Sequence, residues 1–168
     1  MNQTVDLNCD LGELPGAEGL ARELALLPLV TSINLACGMH AGDPLRIRQL
    51  GLAARQREIA VGAHPSYPDR EGFGRRDLEM PPEEIRDWVL YQIAAVGGLL
   101  KAEGIRLSHV KPHGALYNRA ARDRAVATAI AEAVLAFDPE CLLVGQAGGE
   151  LIESGRRLGV ATASEVFA

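Results

Sequence analysis

The sequence predicts an α/β protein built on a parallel sheet, either open or closed into a barrel. Two observations carry this. Short apolar, β-branched stretches alternate along the chain with longer stretches of helical spacing. Several strand ends also run into glycine-flanked turns bearing a histidine or a carboxylate, at the edge where α/β folds bind ligands. The bulk properties agree. A chain of 168 residues, 48% hydrophobic with net charge −5, is long enough for one domain over residues 1–168 with its own core.

Residues 4–9 alternate apolar and polar side chains and read as the first strand, with Asn8, Asp10 and Glu13 gathered at its end around Gly12. Pro15, Gly16 and Gly19 make residues 14–23 a loop, and residues 24–29 a short helix. Residues 31–36 form the second strand. It enters a tight turn in which Gly38 and Gly42 permit backbone angles closed to other residues. Asp43 then caps a helix over residues 43–57, with Pro44 at the first helical position, where its missing N–H costs nothing. Residues 59–63 are a third strand, followed by a Gly/Pro/Arg-rich loop over residues 66–77.

The strongest helix opens at Pro81 and Pro82. Ile85, Val89, Ile93, Val96 and Leu100 follow helical spacing, and Gly104 ends it. Residues 108–112 form a fourth strand, 123–137 a helix, 141–144 a fifth strand and 149–158 a helix ended by Gly159. A sixth strand starts at residues 160–162.

Composition excludes several classes. The acidic balance lacks the basic face that nucleic acid requires. No apolar run reaches the ~18 residues of a membrane span, and residues 1–10 do not read as a secretory leader. Cys9, Cys37 and Cys141 are odd in number without a Cys-x-x-Cys pair, a pattern that suits a reducing cytoplasm.

Asp10, His40, His64 and His113 each sit just past a different expected strand. On a parallel sheet they converge on one mouth, placed either to bind a divalent metal or to act as general acid and base. Any one of these histidines taken alone is as readily a hydrogen-bonding group of the core. His109 lies inside a strand and reads as structural. Lys111, two residues before His113, points the same way in an extended segment and suits a carboxylate or a phosphate. The loop over residues 67–76 carries Arg70, Arg75 and Arg76, and reads either as a lid that clamps an anion or as a solvated charged loop. Cys37 reads as a small buried residue rather than a nucleophile. No P-loop sequence is present, so a nucleotide would need another kind of site.

Five motifs in order carry a resemblance. They are Asp6-Leu7-Asn8-Cys9-Asp10-Leu11-Gly12-Glu13, the stretch 34–44, Gly62-Ala63-His64-Pro65-Ser66-Tyr67-Pro68-Asp69, Gly72-Phe73-Gly74-Arg75-Arg76, and Val110-Lys111-Pro112-His113-Gly114-Ala115-Leu116-Tyr117-Asn118. Together they resemble the LamB/YcsF family, the A subunits of bacterial ATP-dependent 5-oxoprolinase. The resemblance implies a seven-stranded β/α barrel of the glycoside hydrolase/deacetylase type. It implies ATP-coupled opening of the 5-oxoproline (pyroglutamate) lactam to L-glutamate in a cytoplasmic complex with subunits B and C. Matching positions put Asp10, His40, His64, Lys111 and His113 in the site, with Asn8, Arg75, Arg76 and Tyr117 against the substrate.

Relative to the family, the first loop is shortened after Gly12-Glu13-Leu14-Pro15-Gly16. The chain also ends inside a motif, at Glu165-Val166-Phe167-Ala168, so the expected barrel is incomplete and lacks the family's C-terminal part. An open barrel leaves an unpaired edge.

The reaction so implied begins with ATP phosphorylating the lactam oxygen, after which water, activated by one of the histidines or Asp10, attacks the ring carbon. Two alternatives stand beside it. One is a metal-dependent amide hydrolase or deacetylase working without ATP, with Asp10, His40, His64 and His113 as metal ligands. The other is a truncated, inactive chain that still binds its partners.

Overall fold

The computed structural model describes residues 5–166. It contains one six-stranded sheet, all parallel, in which β1 (Asn8–Leu11), β2 (Ser32–Ala36), β3 (Ala60–His64), β4 (His109–Val110), β5 (Leu142–Gln146) and β6 (Thr162–Glu165) lie side by side in chain order. Helices α1 (Gly16–Leu26), α2 (Pro44–Arg55), α3 (Pro82–Ala102), α4 (Gly114–Ala120), α5 (Arg124–Phe137) and α6 (Glu150–Leu158) fill the connections. The sheet curls. Lys111, just after β4, reaches Asp10 on β1 at 3.1 Å and Glu165 on β6 at 3.4 Å, bringing the two edges toward one point. The architecture is an α/β half-barrel, as the alternation of elements predicts.

Amphipathic helices build the outer layer. The expected stripe of α3, Ile85, Val89, Ile93, Val96 and Leu100, is buried, and α3 packs on α2 and α5. Asp43 accepts a hydrogen bond from the Arg46 amide at 2.9 Å, and Gly38 and Gly42 have φ of 97° and 83°, so the turn before α2 forms as the sequence predicts. Burying the core side chains of this layer contributes about 1.5–3 kcal/mol each, set against the ordering entropy of the chain.

Some boundaries differ from expectation. β1 starts at Asn8 instead of residue 4, and Thr4 lies outside the described residues, as do the terminal Phe167 and Ala168. Asp10 is therefore within a strand, paired with Asn34 of β2. Residues 16–26 are helix, not loop. Gly19 is no breaker: the helix folds back on its own entry, and a Cβ there would lie 2.7 Å from the Leu14 carbonyl. α4 is a further helix that the residue pattern does not announce. β4 is short because Pro112 offers no N–H to the ladder. The extended segment still tracks β3, through Ser108 N–H to Val61 O at 2.8 Å, Lys111 N–H to Ala63 O at 3.0 Å and His113 N–H to Pro65 O at 2.8 Å. That tracking delivers His113 to the sheet's C-terminal edge.

Candidate active site

Three imidazoles meet at that edge. His64 ends β3, His40 lies on the turn after β2, and His113 follows β4. His40 stacks on His113 with ring centroids 3.8 Å apart and planes 6° from parallel, and His64 stands edge-on to both. The carboxylate at the middle is Glu13. Its Oε1 lies 3.0 Å from His40 Nε2, 3.4 Å from His113 Nδ1 and 3.8 Å from His64 Nε2. Asp10 Oδ2 reaches His64 Nε2 at 3.3 Å, and Asp10 Oδ1 takes the Lys111 ammonium. Asp10, His40, His64, Lys111 and His113 thus converge as the sequence predicts.

The imidazole tautomers follow from the backbone. His64 Nδ1 is 2.6 Å from Lys111 O, and His113 Nε2 is 2.8 Å from Phe73 O. A carbonyl only accepts, so both of those nitrogens donate. In the neutral rings this leaves His64 Nε2 and His113 Nδ1 with lone pairs facing each other at 3.1 Å, beside two carboxylates. A proton or a cation between them relieves the repulsion. His40 Nδ1 is buried without a hydrogen-bond partner among the described residues, so stacking and the Glu13 contact orient that ring.

Electrostatics separate the groups. Burial, reinforced by the His40 and His64 charges, pushes His113 down to about 4. Burial also lowers His40, against the opposing effect of its hydrogen bond to Glu13. Burial works against ionisation of Glu13 and Asp10, yet the surrounding imidazoles outweigh it, joined at Asp10 by Lys111 and Asn34, so both carboxyls sit below their usual range. Near neutral pH the site therefore holds carboxylates facing a largely neutral His40–His113 stack.

The first loop has its own anchor. Glu23 of α1 is buried, and its Oε1 accepts the amide N–H groups of Gly12, Glu13 and Leu14 at 2.8, 2.8 and 3.0 Å. Its Oε2 takes Arg46 Nη1 at 2.8 Å, and Arg46 Nη2 also donates to Gly16 O. These contacts set the direction in which Glu13 points.

The arginine-rich loop closes over the imidazoles. Phe73 presents its edge to His40 and His113 at 5.4 and 5.2 Å between centroids. Gly74, at φ 65°, leaves no room for a side chain: a Cβ would lie 2.8 Å from His113 Cδ2 and 3.0 Å from His40 Cβ. The three arginines part company. Arg70 donates to the Gly38 and Gly42 carbonyls, and Arg76 is bound to Asp69. Arg75 lies 5.7 Å over the Phe73 ring. Asn8 faces inward under the site, bonded to Ser32 and Asn34, and Tyr117 is buried against Glu165. The expected set of Asn8, Arg75, Arg76 and Tyr117 is therefore dispersed. Of these four, Arg75 alone keeps its head group clear of a hydrogen-bonding protein partner among the described residues.

Two groups read from the sequence as structural are structural here. His109 is buried in β4 with Nε2 2.7 Å from Asn34 Oδ1. Cys37 is buried, and burial pushes its thiol up to about 12, which leaves no thiolate for nucleophilic work at neutral pH. Glu13, gathered with Asn8 and Asp10 at the end of the first expected strand, is the site residue to which the sequence assigned no role. It stands just past β1, which carries Asp10 and ends without a histidine, and that pairing of carboxylates is the signal for it.

The fold and the site define an α/β half-barrel protein with a histidine–carboxylate centre at the C-terminal edge of its sheet. A model described as the LamB/YcsF family matches residues 5–168, and the chain belongs to that family. It is 54% identical over 165 residues to the 5-oxoprolinase A subunit of Chloroflexus aggregans, covering 98% of this chain and 66% of that one. It is 52% identical over 164 residues to that of Bacillus subtilis, covering 98% and 64%. Among solved structures, the lactam utilization protein from Thermus thermophilus superposes with a TM-score of 0.92 at 50% identity, over 98% of this chain and 66% of that one. The chain thus spans 64–67% of the length of these curated relatives.

Proposed function

We propose that this chain supplies the histidine–carboxylate centre of an ATP-dependent 5-oxoprolinase, acting as its A subunit beside subunits B and C. The observation that carries this reading is the convergence of Glu13, His40, His64 and His113 within 4.8 Å of one another at the ligand-binding edge of the sheet, in a chain whose relatives are named for this activity. A lactam carbonyl is a poor electrophile because its amide is resonance-stabilised. Transfer of the terminal ATP phosphoryl to the carbonyl oxygen forms an O–P bond, releases ADP and makes the ring carbon electron-poor. Water then adds to that carbon and gives its proton to a free imidazole lone pair, His64 Nε2 or His113 Nδ1. The same imidazolium returns the proton to the ring nitrogen as the C–N bond breaks. The resulting acyl phosphate is hydrolysed by a second water to glutamate and phosphate. Lys111 and Asp10 hold polar groups of the substrate beside the imidazoles.

A second reading is favoured by the facing lone pairs. A tetrahedral cation with ligands at about 2.0–2.1 Å places those ligands about 3.3 Å apart. Four contacts at the cluster, 3.0, 3.1, 3.4 and 3.8 Å, bracket that spacing. His64 and His113 each donate their other nitrogen to a carbonyl, as metal-ligating histidines do. Glu13, His64 and His113, with His40 as the fourth, thus fit a divalent cation, and Asp10 lies beside them. Such an ion, when bound, supplies Lewis acidity toward a carbonyl.

The test is glutamate formation from 5-oxoproline by this chain with subunits B and C and ATP. His113→Ala is expected to lower turnover at least about tenfold. Wild-type turnover by that variant removes His113 from the chemistry. Turnover that needs a divalent cation and is unchanged without ATP replaces the first reading with the second. Activity from a full-length relative but none from this chain, in the same mixture, makes it a partner-binding piece.

A further inference from the structure

We infer that the cleft lined by Arg75, Asp77, Asn118, Arg122 and Gln146 is a binding site for the phosphoryl groups of a polyphosphate ligand. The inference rests on the ATP-coupled reading for its role in turnover, though not for its physical basis. The cleft has a volume of about 530 Å³ and lies between the arginine-rich loop, α4, the turn into α5 and the end of β5. That volume takes a chain of phosphates rather than one carboxylate, and the lining is rich in donors.

Arg75 is the distinctive member. Most described arginines have a carboxylate within 3.6 Å or donate to a backbone carbonyl. Arg75 does neither, and among the described residues its guanidinium is held only over the Phe73 ring. Arg122 is nearly as free: its one ion pair, to Asp77, is 3.9 Å long, and 73% of its side chain is exposed. Asn118 and Gln146 add amide donors. Asp77 would repel an anion if left alone. It is covered by Arg119 at 3.6 Å as well as by Arg122, and Arg119 also pairs with Asp123 at 3.3 Å. Arg75, Arg119 and Arg122 against Asp77 and Asp123 leave the cleft one positive charge in excess. Paired, forked donors of this kind suit phosphoryl oxygens better than a point charge does.

Position gives the cleft its meaning. Ala115 N–H donates to Gly74 O at 2.9 Å, and a Cβ on Gly114 would lie 2.5 Å from that same oxygen. The loop and α4 are therefore closed on each other, with the imidazoles under Phe73 and Gly74 and the cleft beside Arg75. A phosphoryl group held by Arg75 adjoins the histidine centre across a single backbone segment.

The test is titration calorimetry of the full chain with sodium tripolyphosphate at low ionic strength, with inorganic phosphate and sodium acetate as separate arms. Saturable one-to-one binding of tripolyphosphate is expected, weaker for phosphate and absent for acetate. Arg75→Ala and Arg122→Ala should each weaken it about tenfold, the loss of one charge-assisted pair. Gln146→Glu, which adds a carboxylate without removing an arginine, should weaken it too. Arg106→Ala, whose guanidinium pairs with Asp138 and Glu140 away from the cleft, should leave it unchanged. Circular dichroism of each variant separates lost binding from lost folding. Absence of saturable binding, or equal losses in Arg106→Ala, overturns the site. Binding that behaves as expected in a chain that never turns over lactam leaves the cleft standing and removes the 5-oxoprolinase reading. Turnover with an unchanged KM for ATP in both arginine variants, together with no saturable tripolyphosphate binding, does the reverse.

Discussion

His64 and His113 each give one ring nitrogen to a backbone carbonyl, and this dictates what the other nitrogen can do. Neither ring can turn to avoid its neighbour without stranding a carbonyl, so the pair is held ready for a proton or a cation. Glu13 supplies the countercharge. Glu13→Gln keeps the size of the side chain and removes that charge. It should weaken Zn²⁺ or Mn²⁺ binding by at least about tenfold, read by competition with a chromogenic chelator. An unchanged affinity would mean that Glu13 is no ligand. The histidines were legible in the sequence because each stands at or just past the end of its own strand, close to a glycine. The strand-end position of Glu13 was legible too, but its place at the middle of the imidazoles was not, because its direction depends on Glu23, a contact that no local pattern encodes. The partners of Arg76 and Asn8 were illegible for a similar reason: Asp69 and Asn34 reach them through tertiary geometry.

α1 is the element that shapes the first loop. Its Glu23 joins three consecutive amides to Arg46, and the carboxylate and the guanidinium are both largely buried. Glu23→Ala leaves a buried guanidinium unpaired and three amides without an acceptor. The expected cost is about 3–5 kcal/mol of stability, read as a fall in the denaturant midpoint with an unchanged slope. The arginine-rich loop yields a second test. Gly74→Ala adds a methyl at a positive φ against His113 and His40, so it should depress turnover or cation affinity more than it depresses the melting temperature. A loss confined to stability would show that the loop is only packing. Long helices such as α3 were readable from their apolar stripe. α1 was hidden by Pro15, Gly16 and Gly19, which here form an entry turn and a close contact, and α4 by its seven-residue length, too short for a periodic signal.

The whole molecule carries an acid sensitivity. Burial pushes His109 down to about 4, whereas an unfolded histidine titrates near about 6.5. Below that value the unfolded chain takes up a proton that the fold refuses. Stability is full above about pH 6.5, falls toward pH 4 and then levels off for this group, a loss on the order of 3 kcal/mol. His113 shifts the same way. Asp10, held below the usual carboxylate range, contributes stability that is lost only as the pH falls further. Thermal midpoints should therefore be steady from about pH 8 to 7 and fall between about 6.5 and 4, with a shallower fall in His109→Gln. An equal slope in that variant would clear His109. The α/β class and the six strands were legible because alternation of strand and helix is a local property. Where β1 begins and how tightly the sheet curls were not, since Lys111 joins residues far apart in the chain.

Strands that lie side by side in the order of synthesis impose a schedule on assembly. Each new strand docks against the one made just before it, so the sheet can grow as the chain leaves the ribosome without waiting for a distant partner. The histidine centre obeys a different clock. Glu13 and His113 are a hundred residues apart, so closing that contact costs more chain entropy than the β2–β3 pairing that seats His64 between them, and it is expected to follow. Pulsed hydrogen exchange during refolding should accordingly protect the amides of Ile33 and Val61 before that of His113, making the histidine centre the last part of this half of the sheet to become rigid.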